Sequence, residues 1–311
     1  MTKNFFQQVA LFVLQLMITI LVILTTLFFL QRLSGDPAAV LAGHSSSPEV
    51  LEAVREDMGL NEPLHVQYAV FMKQALMLDF GESTRFQQPA LDMVLDRFPN
   101  TLMLAFGALG LAVLVGIPLG TYSAVRHRQM DGMVVNLLAG IMQSLPSFWL
   151  GLVLLLIFSI RLKWVGSVAN LEDDFLKRMA LPTITLSVFY MARLIRLVRS
   201  GLIEEMSEQY ILTARAKGLR SRTVWFVHAF KNALIPVVAF ITLDLSLLIG
   251  GSVIVESLFS YSGVGDLMVN AIFNRDYAIV QAGVFVISIL VVLINSFSNY
   301  LYQAIDPRVG I

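Results

Sequence analysis

The sequence predicts an all-α integral membrane protein with six transmembrane helices and both termini in the cytoplasm. An external helical segment follows the first helix, and a long cytoplasmic loop joins helices 4 and 5. Three observations carry this reading. Hydrophobic residues make up 57% of the 311 residues and charged residues 14%, against roughly 25% charged in a soluble domain. Mean hydropathy is +0.74. Six apolar runs are long enough to cross a hydrocarbon core, which takes about 20 residues per helix. A soluble enzyme of this size could not coat its surface with so few charges, and a disordered chain would not be so apolar. Basic and acidic residues balance at 22 each, so nothing points to nucleic acid. No cysteine is present, which excludes disulfides, a thiol nucleophile and a thiolate metal site.

The first span runs from Val9 to Leu30, with Gln15 its only strongly polar interior residue. It is longer than the roughly 7–15 apolar residues of a signal peptide. The stretch Gln31-Arg32-Leu33-Ser34-Gly35-Asp36 offers no small-x-small cleavage site, so an uncleaved helix is expected. Residues 31–100 form the external segment. Ser47-Pro48-Glu49 reads as a helix start, with Pro in the first turn and an acid near the N-terminus. Leu51, Val54, Met58 and Leu60 give that helix a partial apolar face. A second helix is expected from Pro63 to Leu78, with Val66, Ala69, Val70 and Leu76 available for packing. The segment reads equally as a cap on the membrane or as a docking surface for an external partner.

Residues 101–311 hold the remaining five spans: Leu102–Val125, Val135–Ile160, Leu181–Val198, Leu234–Val255 and Ala278–Leu301. Pro118, Pro146 and Pro236 can kink or start spans. The short loop 126–134 carries Arg126, His127 and Arg128, and residues 193–233 carry eight Lys/Arg against three acids. The positive-inside bias therefore puts both loops, and the two termini, in the cytoplasm. Within loop 200–235, Leu202–Lys217 reads as one amphipathic helix ended by Gly218, which tolerates the left-handed conformation past a helix end. A second short helix through Trp225, Phe226, Val227 and Phe230 follows. Arg193, Arg196 and Arg199 share nearly one face, from which they can snorkel to lipid phosphates. The loop reads as an interfacial anchor or as a rigid projection toward a soluble partner, and its length and pattern favour the projection.

Catalytic chemistry is missing from the sequence. It contains no Gly-Lys dipeptide, hence no phosphate-binding loop. There is no H-E-x-x-H, and His44, His65, His127 and His228 are scattered over both sides of the membrane. The expectation is no catalytic site, no metal site and no enzyme activity on this chain. One charge lies inside a span: Asp244, near the middle of the fifth. A carboxylate there costs about 2.5–3.5 kcal/mol, so it must face protein or water. It reads either as a residue lining a translocation path or as a group hydrogen-bonded within the bundle. Glu256, at the outer end of the same span, is expected to reach water. Gly250-Gly251 is expected to permit close helix packing.

The stretch Tyr210-Ile211-Leu212-Thr213-Ala214-Arg215-Ala216-Lys217-Gly218-Leu219, followed by Lys231-Asn232-Ala233-Leu234-Ile235-Pro236, resembles the cytoplasmic "EAA" loop of inner-membrane permease subunits of bacterial ABC importers. The version is that of the dipeptide/oligopeptide/nickel branch, with Ala214, Gly218 and Pro236 at the small, glycine and proline positions. The glutamate that names the motif is absent, as is common in this branch. Gly35-Asp36-Pro37, Gly59-Leu60-Asn61-Glu62-Pro63-Leu64 with Gln67-Tyr68, Asp79-Phe80-Gly81-Glu82-Ser83, Gly250 through Glu256, and Arg275-Asp276-Tyr277 through Gln281 resemble further segments of that branch in order. Two departures stand out. Ser262 replaces a usual Pro before Gly263-Val264-Gly265, and Asp244 stands where relatives often have a neutral polar residue.

The resemblance implies a multi-pass protein of the bacterial inner membrane, a single transmembrane domain over 1–311 that works as the permease subunit of an ATP-driven importer. Its implied partners are a second homologous permease, two cytoplasmic ATPase subunits that carry the ATP and Mg, and an external solute-binding protein, besides membrane lipid. Cofactors on this chain itself are not implied. Thr213, Ala214, Arg215, Gly218 and Leu219 are the implied ATPase-coupling residues. Di- or oligopeptide is the implied solute by frequency in the branch, with nickel, a metal chelate or glutathione as alternatives. An acid at Asp244 would suit a cationic group on the solute. An ion-coupled secondary transporter is the competing class, but it would call for inverted repeats and further midplane ionisable groups, which the sequence does not offer.

Overall fold

The computed structural model describes residues 2–33, 38, 47–57, 59–164 and 175–305. Gly35-Asp36-Pro37, Met58, His44 and the residues after 305 lie outside them. Described residues are helical almost throughout, with one isolated antiparallel bridge, Glu82 to Pro89. The helices are α1 (Thr2–Leu33), α2 (Pro48–Asp57), α3 (Leu64–Leu76), α4 (Ala90–Val125), α5 (Met130–Ser144), α6 (Ser147–Arg161), α7 (Phe175–Glu205), α8 (Gln209–Ala216), α9 (Ser221–Leu258), α10 (Val264–Phe273) and α11 (Tyr277–Ile305). Five of them, α1, α4, α7, α9 and α11, are each long and apolar enough to span a membrane, and the pair α5–α6 makes a sixth crossing if counted as one.

That third crossing is not the continuous Val135–Ile160 helix expected. It breaks by 99° between α5 and α6. The cause is local. Pro146 has no N–H to donate and disfavours helical backbone at the residue before it. Leu145 and Pro146 accordingly sit at ψ 128° and 133°. A second difference concerns Leu202–Lys217. The fourth span continues through Leu202 to Glu205 as α7, and a turn at Met206–Glu208 separates it from α8. Ser207 Oγ donates to the Glu204 carbonyl at 2.6 Å, a side-chain bond that competes with helix continuation. The expected second short helix is continuous with the fifth span, so α9 begins at Ser221 and passes through a π-helical stretch at Val224–Ala229.

The chain divides into two compact units. The first comprises residues 1–99 and 262–292, so that α10 and much of α11 cluster with the N-terminal helices. Its core holds Leu24, Phe80, Val94, Leu267, Ile279 and Phe285. Helix α3 and the loop before it are tied to α1 by polar groups. Tyr68 and Thr25 share a hydroxyl–hydroxyl bond of 2.7 Å. Arg32 donates to Gln67 and lies 3.5 Å over the Phe28 ring. Gln67 Nε2 in turn donates to the carbonyls of Leu60 and Glu62 at 2.9 and 2.6 Å. The Gln67-Tyr68 pair of the external motif thus has a physical task, to fix this segment on the first span.

The second unit comprises residues 100–261 and 293–311. Helix α7 is its centre: 56% of its most apolar stretch is buried, and it packs on α5, α6 and α9. The C-terminal half of α4 also lies against it through Gly116 and Gly120. A Cβ at Gly120 would sit 2.8 Å from both the Ile195 carbonyl oxygen and Val198 Cβ, so only glycine fits. Gly120→Leu is expected to cost about 3 kcal/mol, the upper end of overpacking penalties, seen as a lowered Tm of the purified protein. Gly250 behaves otherwise. A Cβ there meets nothing within 4 Å, and one at Gly251 would lie 3.8 Å from the Tyr190 hydroxyl. The expected close packing at this pair is not made among the described residues.

Candidate functional site

Helix α8 is short and is held by its inward side. Ile211 and Ala214, three residues apart, are buried, while Leu212, Thr213 and Arg215 are exposed. Tyr210 donates to the Glu205 carboxylate and accepts from Asn232 Nδ2 at 3.0 Å, so one phenol links the end of α7 and the N-terminal third of α9 to α8. Burial and the bond to Glu205 push the Tyr210 hydroxyl above its ordinary pKa, which keeps the proton that this clamp needs. The helix ends in a Schellman motif. Gly218 has φ +77°, its N–H donates to the Arg215 carbonyl at 2.9 Å, and Leu219 N–H reaches back to Ala214 O at 3.3 Å. Leu219 is exposed just beyond. The five residues singled out in sequence therefore divide: Thr213, Arg215 and Leu219 face outward, Ala214 faces the chain's own body, and Gly218 sets the turn. Tyr210 and Asn232 belong to the same motif stretch, but only the structure gives the reason.

Asp244 is buried and paired. Arg193 Nη1 donates to its Oδ1 at 2.9 Å, with the two side chains 26% and 3% exposed. The Arg193 guanidinium also lies 4.2 Å over the Phe240 ring. The cation that Asp244 alone suggested in a solute is present in the protein. Arg196 and Arg199 are likewise anchored within the chain rather than extended to lipid. Arg196 donates to Gln143 Oε1 at 2.9 Å, and Arg199 donates to the Ser123 carbonyl and hydroxyl at 2.5 and 2.8 Å. Glu256 does not reach water: it is fully buried and accepts from Ser252 Oγ at 2.9 Å. That bond joins two residues of the Gly250–Glu256 motif one helical turn apart.

In the first unit, two motifs distant in sequence meet. Ser83 of Asp79-Phe80-Gly81-Glu82-Ser83 donates to Asp276 Oδ2 of Arg275-Asp276-Tyr277 at 2.5 Å, and both side chains are buried. Phe80 packs its ring 5.0 Å from that of Phe285. Asp276 Oδ1 has no hydrogen-bond partner among the described residues, so Ser83→Ala leaves both carboxylate oxygens unbonded. The expected cost is about 1–3 kcal/mol. Faster amide exchange over residues 79–90, with α7 unaffected, is the observable.

The comparisons with known proteins agree with this architecture. Residues 116–311 match the binding-protein-dependent transport system inner membrane component, and residues 4–105 match the N-terminal component of such membrane proteins. The chain belongs to this family and is a multi-pass inner-membrane permease subunit. It is 37% identical over 294 residues to a glutathione transport system permease protein of Salmonella typhimurium, covering 94% of each chain. It is 36% identical over 297 residues to a Brucella suis chain provisionally named a peptide transport system permease protein, covering 94% and 95%. Among solved structures, an inward-facing form of the MetNI methionine ABC transporter aligns with TM-score 0.57 at 18% identity, over 69% of this chain and 96% of that one. An amino acid ABC transporter aligns with TM-score 0.53 at 13% identity, over 68% and 94%. These two establish a shared fold.

Proposed function

We propose that this permease forms one half of the membrane pathway of an ATP-driven importer of di- or oligopeptides. Its partners in this reading are a second homologous permease, two cytoplasmic ATPase subunits and an external solute-binding protein. ATP and Mg reside on the ATPases, and this chain carries no cofactor of its own. The observation that carries the reading is the build of α8. Its inward residues anchor it, while Thr213, Arg215 and Leu219 are exposed on its outer surface. Closure of the ATPases moves α8, and the Tyr210 clamp passes that motion to α7 and α9. The ATP-bound state must bind the two conformations of the permease unequally, or nothing shifts. Asp244 bears on transport indirectly, by fixing Arg193 at the wall of a cavity of about 650 Å³.

Peptide as solute is supported by the name of the Brucella suis relative, and glutathione, itself a peptide, by that of the Salmonella relative. The test is a pull-down from detergent-solubilised native membranes, with mass spectrometry of the retained chains. Recovery of a second permease and two ATPases with phosphate-binding loops supports the reading. Recovery of this chain alone, moving solute in liposomes without ATP, overturns it in favour of an ion-coupled carrier.

A further inference from the structure

The same cavity carries chemistry that solute passage does not require. It opens between α5, α7 and α9, and its wall includes Asn136, Gln143, Arg193, Arg196, Arg199 and Phe240. Its three guanidiniums are not equivalent. Arg193 is neutralised by Asp244. Among the described residues, Arg196 and Arg199 are bonded only to neutral oxygens, those of Gln143 and Ser123, which orient the side chains without cancelling their charge. Each engages a single nitrogen. Arg196 is exposed and Arg199 half-buried, and both line the cavity. The one carboxylate on its wall, Glu204, is exposed, toward the α8 end of α7.

The surroundings are those of an amphiphile site. Along α7, Arg196 and Arg199 lie nearer the loop end than Arg193. From Phe240, α9 runs away from that loop with Leu243 and Leu247 on the same face, 50% and 57% exposed. A charged head held by Arg196 and Arg199 would have an apolar track beneath it leading into the membrane. Guanidinium pairs bind phosphate oxygens in charge-assisted bonds stronger than those to neutral acceptors, and the loop side is the one that the Lys/Arg bias assigns to the cytoplasm. We propose that this cavity binds the phosphate headgroup of an acidic phospholipid of the cytoplasmic leaflet. Its acyl chain lies along Phe240, Leu243 and Leu247. The site stands whatever the transported solute is.

The test uses the protein extracted with its associated subunits and placed in phosphatidylcholine nanodiscs with or without phosphatidylglycerol. Native mass spectrometry reads the retained lipid. Wild type is expected to retain phosphatidylglycerol. The double variant Arg196→Gln/Arg199→Gln is expected to bind it about twenty-five-fold more weakly, at roughly fivefold per basic residue near an anionic surface. Arg196→Lys/Arg199→Lys keeps the charge and restores most of the binding, which separates lost charge from a misfolded site. Arg222→Gln removes an exposed charge elsewhere on the same side and leaves retention unchanged. An equal loss in Arg222→Gln overturns the proposal, because binding is then only a surface-charge effect. Inorganic phosphate that displaces the phosphatidylglycerol at low concentration overturns it too, because the apolar track then contributes nothing.

Discussion

Asp244→Ala is expected to lower the stability of the permease by about 3 kcal/mol, the low end of the cost of leaving one member of a buried ion pair alone. Among the described residues, Arg193 would lose the only anion bonded to it and keep ring contacts, chiefly with Phe240. Because its side chain is 26% exposed, water reaches part of the guanidinium and the cost stays near that lower end. Replacing both partners with apolar residues of similar size, Arg193→Met with Asp244→Leu, removes the stranded charge and is expected to recover most of the loss. Asp244→Asn keeps an acceptor for Arg193 without the charge. It is expected to assemble normally but to change affinity or choice among competing peptides. Thermal unfolding of the purified complex reads the first two variants and competitive uptake reads the third. An unchanged uptake profile in Asp244→Asn would reduce the pair to a packing element.

Gly218→Glu is expected to abolish transport while leaving membrane insertion intact. At φ +77° an L-residue carries roughly 1–2 kcal/mol of backbone strain, and the Schellman turn that closes α8 would loosen. Steric conflict is not the cause, since a Cβ at this position meets nothing within 4 Å among the described residues. The strained turn changes the direction of α8 and Leu219, and the new carboxylate enters the surface left for a partner. Gly218→Asn separates the two effects. Asparagine adopts the left-handed conformation readily, so this variant is expected to retain uptake, while Gly218→Ala falls between. Transport assays in cells, normalised to the amount of inserted protein, rank the three. Normal uptake in Gly218→Glu would remove α8 from the coupling path.

Much of this fold was legible because its signals are local. Long apolar runs define spans, Pro48 with Glu49 marks the start of α2, and Gly218 marks the end of α8. The misreadings have physical causes. Val135–Ile160 is apolar throughout, so hydropathy runs straight across the 99° break that Pro146 imposes. Glu204, Glu205 and Met206 are good helix formers, and they hide the turn that Ser207 helps to make. Long-range pairs leave no pattern in a single sequence. Arg193 and Asp244 are 51 residues apart, and Ser83 and Asp276 are 193 apart. Family resemblance picked out Ser83, Asp276, Gln67, Tyr210 and Asn232 as parts of motifs. Their bonding partners became clear only once the helices were in place. Arg196 and Arg199 show the same limit, since their spacing placed them on one face but could not reveal Gln143 and Ser123 beneath them.

The central claim is that α8 transmits ATPase motion through the outward residues Thr213, Arg215 and Leu219. The sequence contains no cysteine, so Thr213→Cys introduces a single thiol that a photoactivatable crosslinker can label in native membranes. The account predicts that irradiation joins this chain to an ATPase subunit that carries a phosphate-binding loop. ATP should change the yield, and Ala214→Cys, turned into the chain's own body, should give little or no adduct. Crosslinking confined to lipid or to this chain itself, with ATP-dependent uptake still intact, would contradict it.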